Sequence, residues 1–395
     1  MKGVKISSDV LSLRAEAVRL RRHFHEQPET GFEEFETAKF IAAYLKGLGL
    51  EVRERIAKTG VVGLLGGTKP GKTILYRSDM DALRVQEESR KPYRSKKPGI
   101  AHACGHDAHM AIALTLAKLF SRQRETLPGN IKFVFQPNEE LAPGGAAPMI
   151  EQGVLENPHA DAALGLHVWQ ELPIGAVGIK PGPVFAAVDV VSISVRGKGG
   201  HGALPHRSVD PVLVSAHLIS VLEVLTSREI DPLKSAVLTF GSIHAGDPCN
   251  VIPEFAHLKG TFRCFDRKIR RYARKRIREI CVKTAGCFGA RCDVAITPGF
   301  PPLVNDPAFT RIVLEAARGV VPEKNIDQEH MTMGSEDMSL FLARVPGCYF
   351  FLGSANSTKG ITYPHHSPQF DIDEDALLVG LEIARRTIAM FLSMK

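Results

Sequence analysis

The sequence predicts an α/β fold: a catalytic domain built on a mixed sheet flanked by helices, interrupted by an inserted α+β sandwich. Three observations predict it. Short apolar runs of strand length alternate with segments of helical period up to about residue 185 and again from about 300. Clusters of His, Cys, Asp and Glu follow or lie beside the apolar runs, where ligands gather in open α/β sheets. Between 186 and 298 the order changes to strand-helix-strand-strand-helix-strand, a compact module of its own. The expected boundaries are therefore 1–185 with 299–395 for one domain and 186–298 for the other.

Taken in order, residues 10–25 carry apolar positions at helical spacing, and Gln27-Pro28-Glu29-Thr30-Gly31 breaks that helix. A second helix runs from about Glu34 to Leu48, where Gly49 stops it. Strands follow at 51–56, 61–65 and 72–77, the last leading to Ser78-Asp79-Met80-Asp81-Ala82-Leu83. His102-Ala103-Cys104-Gly105-His106-Asp107-Ala108-His109 then opens a helix over about 108–122. A strand at 131–135 ends at Gln136-Pro137-Asn138-Glu139-Glu140, a helix runs toward Gln152, and a strand at 162–168 carries His167 at its end. In the inserted module, strands at 188–195, 236–244, 257–264 and 292–296 accompany a helix at about 210–228. Asp210-Pro211 starts that helix as cap and first residue. Beyond 300 come helices at 308–318 and from Glu336, a strand at 348–352, and a closing helix from Glu374.

Composition narrows the possibilities. At 395 residues and 44% hydrophobic, the chain is long enough for two domains. No apolar run approaches the ~18–20 residues of a membrane span, and the N-terminus lacks the apolar core of a signal peptide. A cytoplasmic protein is expected. Seven cysteines, odd in number and scattered, imply no disulfide framework. Six of them read as buried small apolar residues, and only Cys104 lies among other potential ligands. The net charge of +7 is concentrated in one helix. Eight Lys or Arg lie between Arg267 and Arg278, interleaved with Ile269, Ala273 and Ile277, which makes an amphipathic helix with a solvated basic face. No nucleic-acid motif accompanies it.

Four clusters supply candidate metal ligands. Cys104 and His106 both face one site if their segment is extended. Glu139-Glu140 permits a division of labour, one carboxylate on metal and the other free as a base, as metal-assisted hydrolysis requires. His167 and His366 come from far away in sequence. A mixed Cys, His and carboxylate set suits Zn, Mn, Co or Ni. Retention of both Glu139 and Glu140 disfavours a merely metal-binding protein.

These clusters resemble the M20 metallopeptidase superfamily, and within it the amidohydrolase branch of N-acyl-amino-acid amidohydrolases, hippurate hydrolases and indole-acetyl-amino-acid hydrolases. The resemblance rests on Arg77-Ser78-Asp79-Met80-Asp81-Ala82-Leu83, His102 to Asp107, Phe135 to Glu140, Gly165-Leu166-His167, Gly199 to His206, Asn250-Val251-Ile252-Pro253, Gly334-Ser335-Glu336-Asp337 and His366-Ser367-Pro368, in family order over nearly the whole chain. It implies two divalent transition-metal ions held by Cys104, His106, Glu140, His167 and His366, with Glu139 as general base and Asp81 orienting a ligand. It further implies that His201 stabilises the oxyanion, often from a partner subunit, and that Asn250 and Arg263 hold the substrate's carbonyl or carboxylate. The inserted domain then serves as lid and dimerisation module of a homodimer or higher homo-oligomer. The reaction implied is hydrolysis of an N-acyl or N-aroyl amino acid to a carboxylic acid and a free amino acid. The alternative is a metallocarboxypeptidase or dipeptidase of the same superfamily acting on short peptides. Arg84, Asn138 and Met338 depart from commoner family residues, and Arg84 bears on the pocket rim. Neither nucleic acid nor membrane is an expected partner.

Overall fold

The computed structural model describes residues 3–394. The chain divides into two compact units, one running to Val184 with Val304–Met331 and everything from Asp337 onward, the other comprising Phe185–Leu303 with Thr332–Glu336. The second unit takes in 332–336, a return segment beyond the expected 186–298.

In chain order the first unit begins with α1 (Ser8–Leu11), α2 (Arg14–Glu26), α3 (Phe35–Gly47), β1 (Glu51–Ile56), β2 (Gly60–Gly66) and β3 (Lys69–Asp79). It continues with α4 (His106–Ser121), β4 (Pro128–Gln136), α5 (Ala146–Glu151), β5 (Ala162–Pro173), β6 (Val177–Gly178) and β7 (Gly182–Phe185). The second unit holds β8 (Ala187–Arg196), β9 (Gly200–His201), α6 (Pro211–Val224), β10 (Ala236–Ala245), β11 (Val251–Ile252), β12 (Phe255–Cys264), α7 (Arg267–Cys287) and β13 (Arg291–Pro298). Then come β14 (Leu303–Asn305), α8 (Pro307–Arg318), β15 (Ile326–Asp327), α9 (Met338–Leu342), β16 (Gly347–Ala355) and α10 (Asp375–Ser393).

The large sheet has the order β1-β2-β4-β3-β5-β16-β6-β15. β3 runs parallel to β4 and β5, and β5 parallel to β16, while β1-β2 and β2-β4 are antiparallel. It is mixed for this reason. Its central strands read as unbroken apolar runs because both faces are covered. Ile74, Tyr76, Phe133, Phe135, Leu164, Leu166, Phe350 and Leu352 are at most 2% exposed and share one core with α4 and α10. Those two helices are buried nearly all round, as their sequences demand.

The expected single helix over 10–25 is broken at Ser12-Leu13. The Ser12 hydroxyl donates to Asp9 O at 2.7 Å, a local bond that competes with helix continuation. The short strands β6, β7, β9, β14 and β15 are too brief to show a period.

In the second unit the antiparallel sheet order β10-β12-β8-β13 with two helices is the split βαβ arrangement. Val214, Leu218 and Leu222 of α6 and Ala273, Ile277 and Ile280 of α7 pack on Val191, Ile193, Val195, Leu258 and Phe262. Asp210 caps α6 by accepting from Val212 N–H at 2.8 Å, and Asp266 caps α7 by accepting from Lys268 N–H at 2.6 Å. The basic face of α7 is not simply solvated: Arg270 and Arg274 both clamp the buried Asp189, at 2.7 and 2.6 Å. Nor are the remaining cysteines uniformly buried, since Cys249 and Cys287 are exposed and Cys292 is partly so. One helix, Pro211–Glu229, does reach membrane-span length and hydropathy. Its inner face belongs to the core just described.

Candidate metal centre

The parallel strands β3, β4 and β5 deliver their C-terminal ends to one place, and each end carries polar side chains. Asp79 closes β3, the loop 137–140 follows β4, and His167 lies on β5. The expectation that His167 ends its strand is corrected: β5 continues six residues further, to Pro173. The expectation of an extended Cys104-Gly105-His106 is also corrected. Gly105 adopts a left-handed φ of 91°, and His106 is the first residue of α4. A Cβ on Gly105 would meet Val168 Cγ2 at 2.3 Å, so only glycine makes this turn here. The turn, rather than strand alternation, brings both ligand-type side chains to one side.

Hydrogen bonds fix which atoms remain available. His106 Nδ1–H donates to Asp81 O at 2.9 Å, which leaves Nε2 as the nitrogen that faces the site. His167 Nδ1–H donates to Val168 O at 2.7 Å, and its Nε2 lies 3.5 Å from Cys104 Sγ. His365 Nε2–H also donates to Val168 O, at 2.9 Å, so it is the neighbouring His366 whose Nε2 meets Glu140 Oε1 at 3.5 Å. His366 holds a positive φ of 66° and is tied by its N–H to Ala103 O at 2.8 Å. Glu140 Oε1 lies 3.9 Å from His106 Nε2. Both of these atoms are buried and neither has a hydrogen-bond partner among the described residues.

The donor atoms of Cys104, His106 and His167 lie within 4.8 Å of one another, as do those of Cys104, Glu140 and His366, and those of His106, Glu139 and Glu140. Cys104, His106 and Glu140 are each shared between groups, an arrangement with room for adjacent cations. A further group, Asp79, His106 and His109, is spoken for. His109 donates from Nδ1 to Asp79 at 2.6 Å and accepts Val168 N–H at Nε2, 3.0 Å away.

The electrostatics fit a divalent cation. Burial, then Glu140 and Glu139, hold the Cys104 thiol well above its ordinary value, so a thiolate there needs a positive charge beside it. Burial, with His109 and His365 adding to it, pushes His167 well below the usual range, so its imidazole is neutral and able to ligate. For His106, burial acts downward, but Asp79, Asp81 and Glu140 outweigh it and raise the ring to about 10, so a cation bound at Nε2 takes the place of a proton that these carboxylates would otherwise hold there. An orphaned imidazole nitrogen, an orphaned carboxylate oxygen and a buried thiol together suit a borderline-soft transition ion.

Asp81 does two things. Its backbone oxygen orients His106, and its carboxylate accepts Glu139 N–H at 3.0 Å and Glu140 N–H at 3.1 Å. Glu34 extends the clamp, accepting Asn138 N–H at 2.9 Å and the Thr59 hydroxyl at 2.6 Å. Burial and the nearby Asp81 raise Glu34 to about 7. Beneath the site Arg77, 1% exposed, donates to Asp79 at 2.7 Å, Asp337 at 2.8 Å and Gln136 Oε1 at 3.0 Å. Sequence reasoning missed the roles of Glu34, Arg77, Gln136 and Asp337. Arg77, Gln136 and Asp337 stand inside the stretches that carry the resemblance, which was the one signal for them, and Glu34 had none.

The other three expected site residues belong to the second unit. His201 and Asn250 are exposed and share one small ribbon: His201 on β9 opposes Val251 on β11, and Asn250 O accepts Gly202 N–H at 2.8 Å. Arg263, on β12, donates to Met333 O at 3.0 Å and pairs with no carboxylate among the described residues.

A thiol, imidazoles and paired carboxylates meeting at the C-terminal edge of parallel strands define a metal-dependent hydrolase. Residues 75–390 match Peptidase family M20/M25/M40. The chain is 39% identical over 379 residues to thermostable carboxypeptidase 2 of Saccharolobus solfataricus, covering 95% of each chain. It is 39% identical over 367 residues to the N-acetyl-L-cysteine deacetylase of Bacillus subtilis, covering 93% of this chain and 86% of that one. Its structure aligns with a Bacillus subtilis dinuclear metal binding peptidase from the M20 family at a TM-score of 0.84 and 32% identity, covering 98% of this chain and 100% of that one. The chain belongs to peptidase family M20/M25/M40, and it is a hydrolase of amide C–N bonds.

Proposed function

We propose that this protein hydrolyses N-acyl or N-aroyl amino acids, using two divalent transition-metal ions of the Zn, Mn, Co or Ni type. The observation that carries this reading is the convergence of His106 Nε2 and Glu140 Oε1, both orphaned, with Cys104, His167 and His366. These five residues hold the ions, which when bound polarise the scissile carbonyl and acidify water. Glu139, buried beside Glu140 and fixed through Asp81, takes a proton from the attacking water and returns it to the leaving amine. His201 donates to the developing oxyanion. Asn250 and Arg263 hold the substrate's carbonyl and carboxylate, for which the unpaired Arg263 fork is suited.

A second reading, a carboxypeptidase acting on short peptides, is favoured by the equally similar Saccharolobus solfataricus relative. One panel separates the two. Metal-free protein reloaded with each ion in turn should show a higher kcat/KM on N-acetyl, N-benzoyl or indole-acetyl amino acids than on dipeptides. Dipeptides ahead with every ion would establish the second reading, and inactivity on all of them would sink both.

A homodimer is part of this reading. α6 turns Val212, Leu213, Val221 and Val224 outward, its one charged residue is Glu223, and β10 beside it is an edge strand with Val237 and Ile243 exposed. Sedimentation equilibrium should give twice the chain mass. A monomer at micromolar concentration would remove this element.

A further inference from the structure

Next to the donor set stands a group of rings that the chemistry above does not use. Trp169 follows His167 by two residues on β5, so both side chains leave the same face of the sheet. Their rings are 5.5 Å apart and nearly perpendicular. Phe351 sits opposite His167 on the parallel strand β16, and its ring meets Trp169 edge-on at 4.9 Å. His330 closes the row at 4.7 Å from Phe351, and His365 lies 4.9 Å from Trp169 at 35°. Gly178 makes the row possible: a Cβ there would meet His330 Cβ at 2.9 Å.

A structural aromatic cluster is the bland explanation. The unit's main core, however, holds Leu164, Leu166, Val168, Phe350 and Leu352, which alternate with this row along β5 and β16 and so leave the opposite face. Trp169, His330 and His365 are only partly buried, so the row is not sealed as a core would be. Rings fixed in mutually perpendicular and tilted poses suit the edge-on and offset stacking that a further planar group prefers.

We infer that Trp169, supported by Phe351, His330 and His365, forms a wall that receives a planar aromatic group of the substrate beside the scissile bond. The inference rests on the amide-hydrolase reading above and deepens it: it selects aromatic over small aliphatic substrates. The aromatic group can stand on the acyl side or on the amino-acid side of the bond, and the wall's chemistry is the same for both.

Trp169 is the chain's single tryptophan, so its emission reports the wall directly. Benzoate and indole-3-acetate should change that emission saturably, in metal-free as well as metal-loaded protein, whereas acetate should not. An emission unaffected by either aromatic acid would overturn the inference. Kinetics supply a second reading. Trp169→Ala should raise KM about tenfold, the equivalent of ~1.4 kcal/mol, for N-benzoylalanine or for N-acetylphenylalanine, while N-acetylalanine changes less than about twofold. Trp169→Phe should recover most of the loss. The aromatic substrate that suffers identifies the side the wall takes. Equal losses on all three substrates, or none on any, would overturn the inference. Should the wild type hydrolyse none of the three, the N-acyl-amino-acid reading fails on its own, and the emission titration still decides the wall.

Discussion

Glu139→Gln should lower kcat by about 10²- to 10⁴-fold, the range for a positioned general base, while the protein keeps its metal. Glutamine matches glutamate in shape but does not accept a proton at neutral pH. The backbone bond from Glu139 N–H to Asp81 Oδ1 does not depend on the side chain, so the loop keeps its path. Glu140, the neighbour assigned to metal, is untouched and still accepts at its own site. The check pairs steady-state kinetics with metal content measured on the same preparation. Turnover near wild type would mean that the proton leaves by another route. Loss of metal together with turnover would mean that Glu139 is a ligand and that the roles of the two carboxylates are reversed.

The second large effect is expected from Arg77→Leu. Arg77 is the common cation for Asp79 and Asp337, and the side chains of all three are 0% exposed. Removing it leaves two buried carboxylates without their guanidinium, and breaking a buried pair in this way costs about 3–5 kcal/mol. Gln136 loses its donor as well, though its own amide still reaches Asp337 at 2.7 Å. The consequence reaches the site through Asp79, which is held between Arg77 and His109, while His109 in turn accepts Val168 N–H beside His167. Thermal or urea unfolding followed by Trp169 emission reads the first unit, where the tryptophan lies. A loss below about 1 kcal/mol would show that Asp79 and Asp337 find other compensation. Arg77→Lys should recover little, because an ammonium does not reproduce the fork that serves three acceptors.

How much of this was legible in the sequence depends on what each residue type announces. β4, β5 and β16 announced themselves because strands buried on both faces must be continuously apolar. α6 did so because Asp210-Pro211 is a cap and first residue in two letters. The metal donors were legible because thiols and imidazoles clustered in short stretches have few other uses. The buried pairing of Arg77, Glu34 and Asp337 was not, although Arg77 and Asp337 stand in the motifs that carry the resemblance. In a sequence they look like surface charge, and their burial follows from partners as far as 260 residues away in the chain. The backbone at the site was misread for a related reason. The spacing of Cys104 and His106 fits a strand, and only the close approach of Val168 shows why Gly105 turns left-handed instead. The pairing of β6 with β15 and β16 was invisible because two residues carry no period.

The central claim is that five residues from four separate stretches hold two metal ions. Crystals grown from metal-loaded protein, measured at the absorption edge of the ion supplied, test it most directly. The account predicts two anomalous peaks per chain, each at bonding distance from members of the set Cys104, His106, Glu140, His167 and His366. Peaks elsewhere on the chain, or none at these donors under saturating metal, would contradict it.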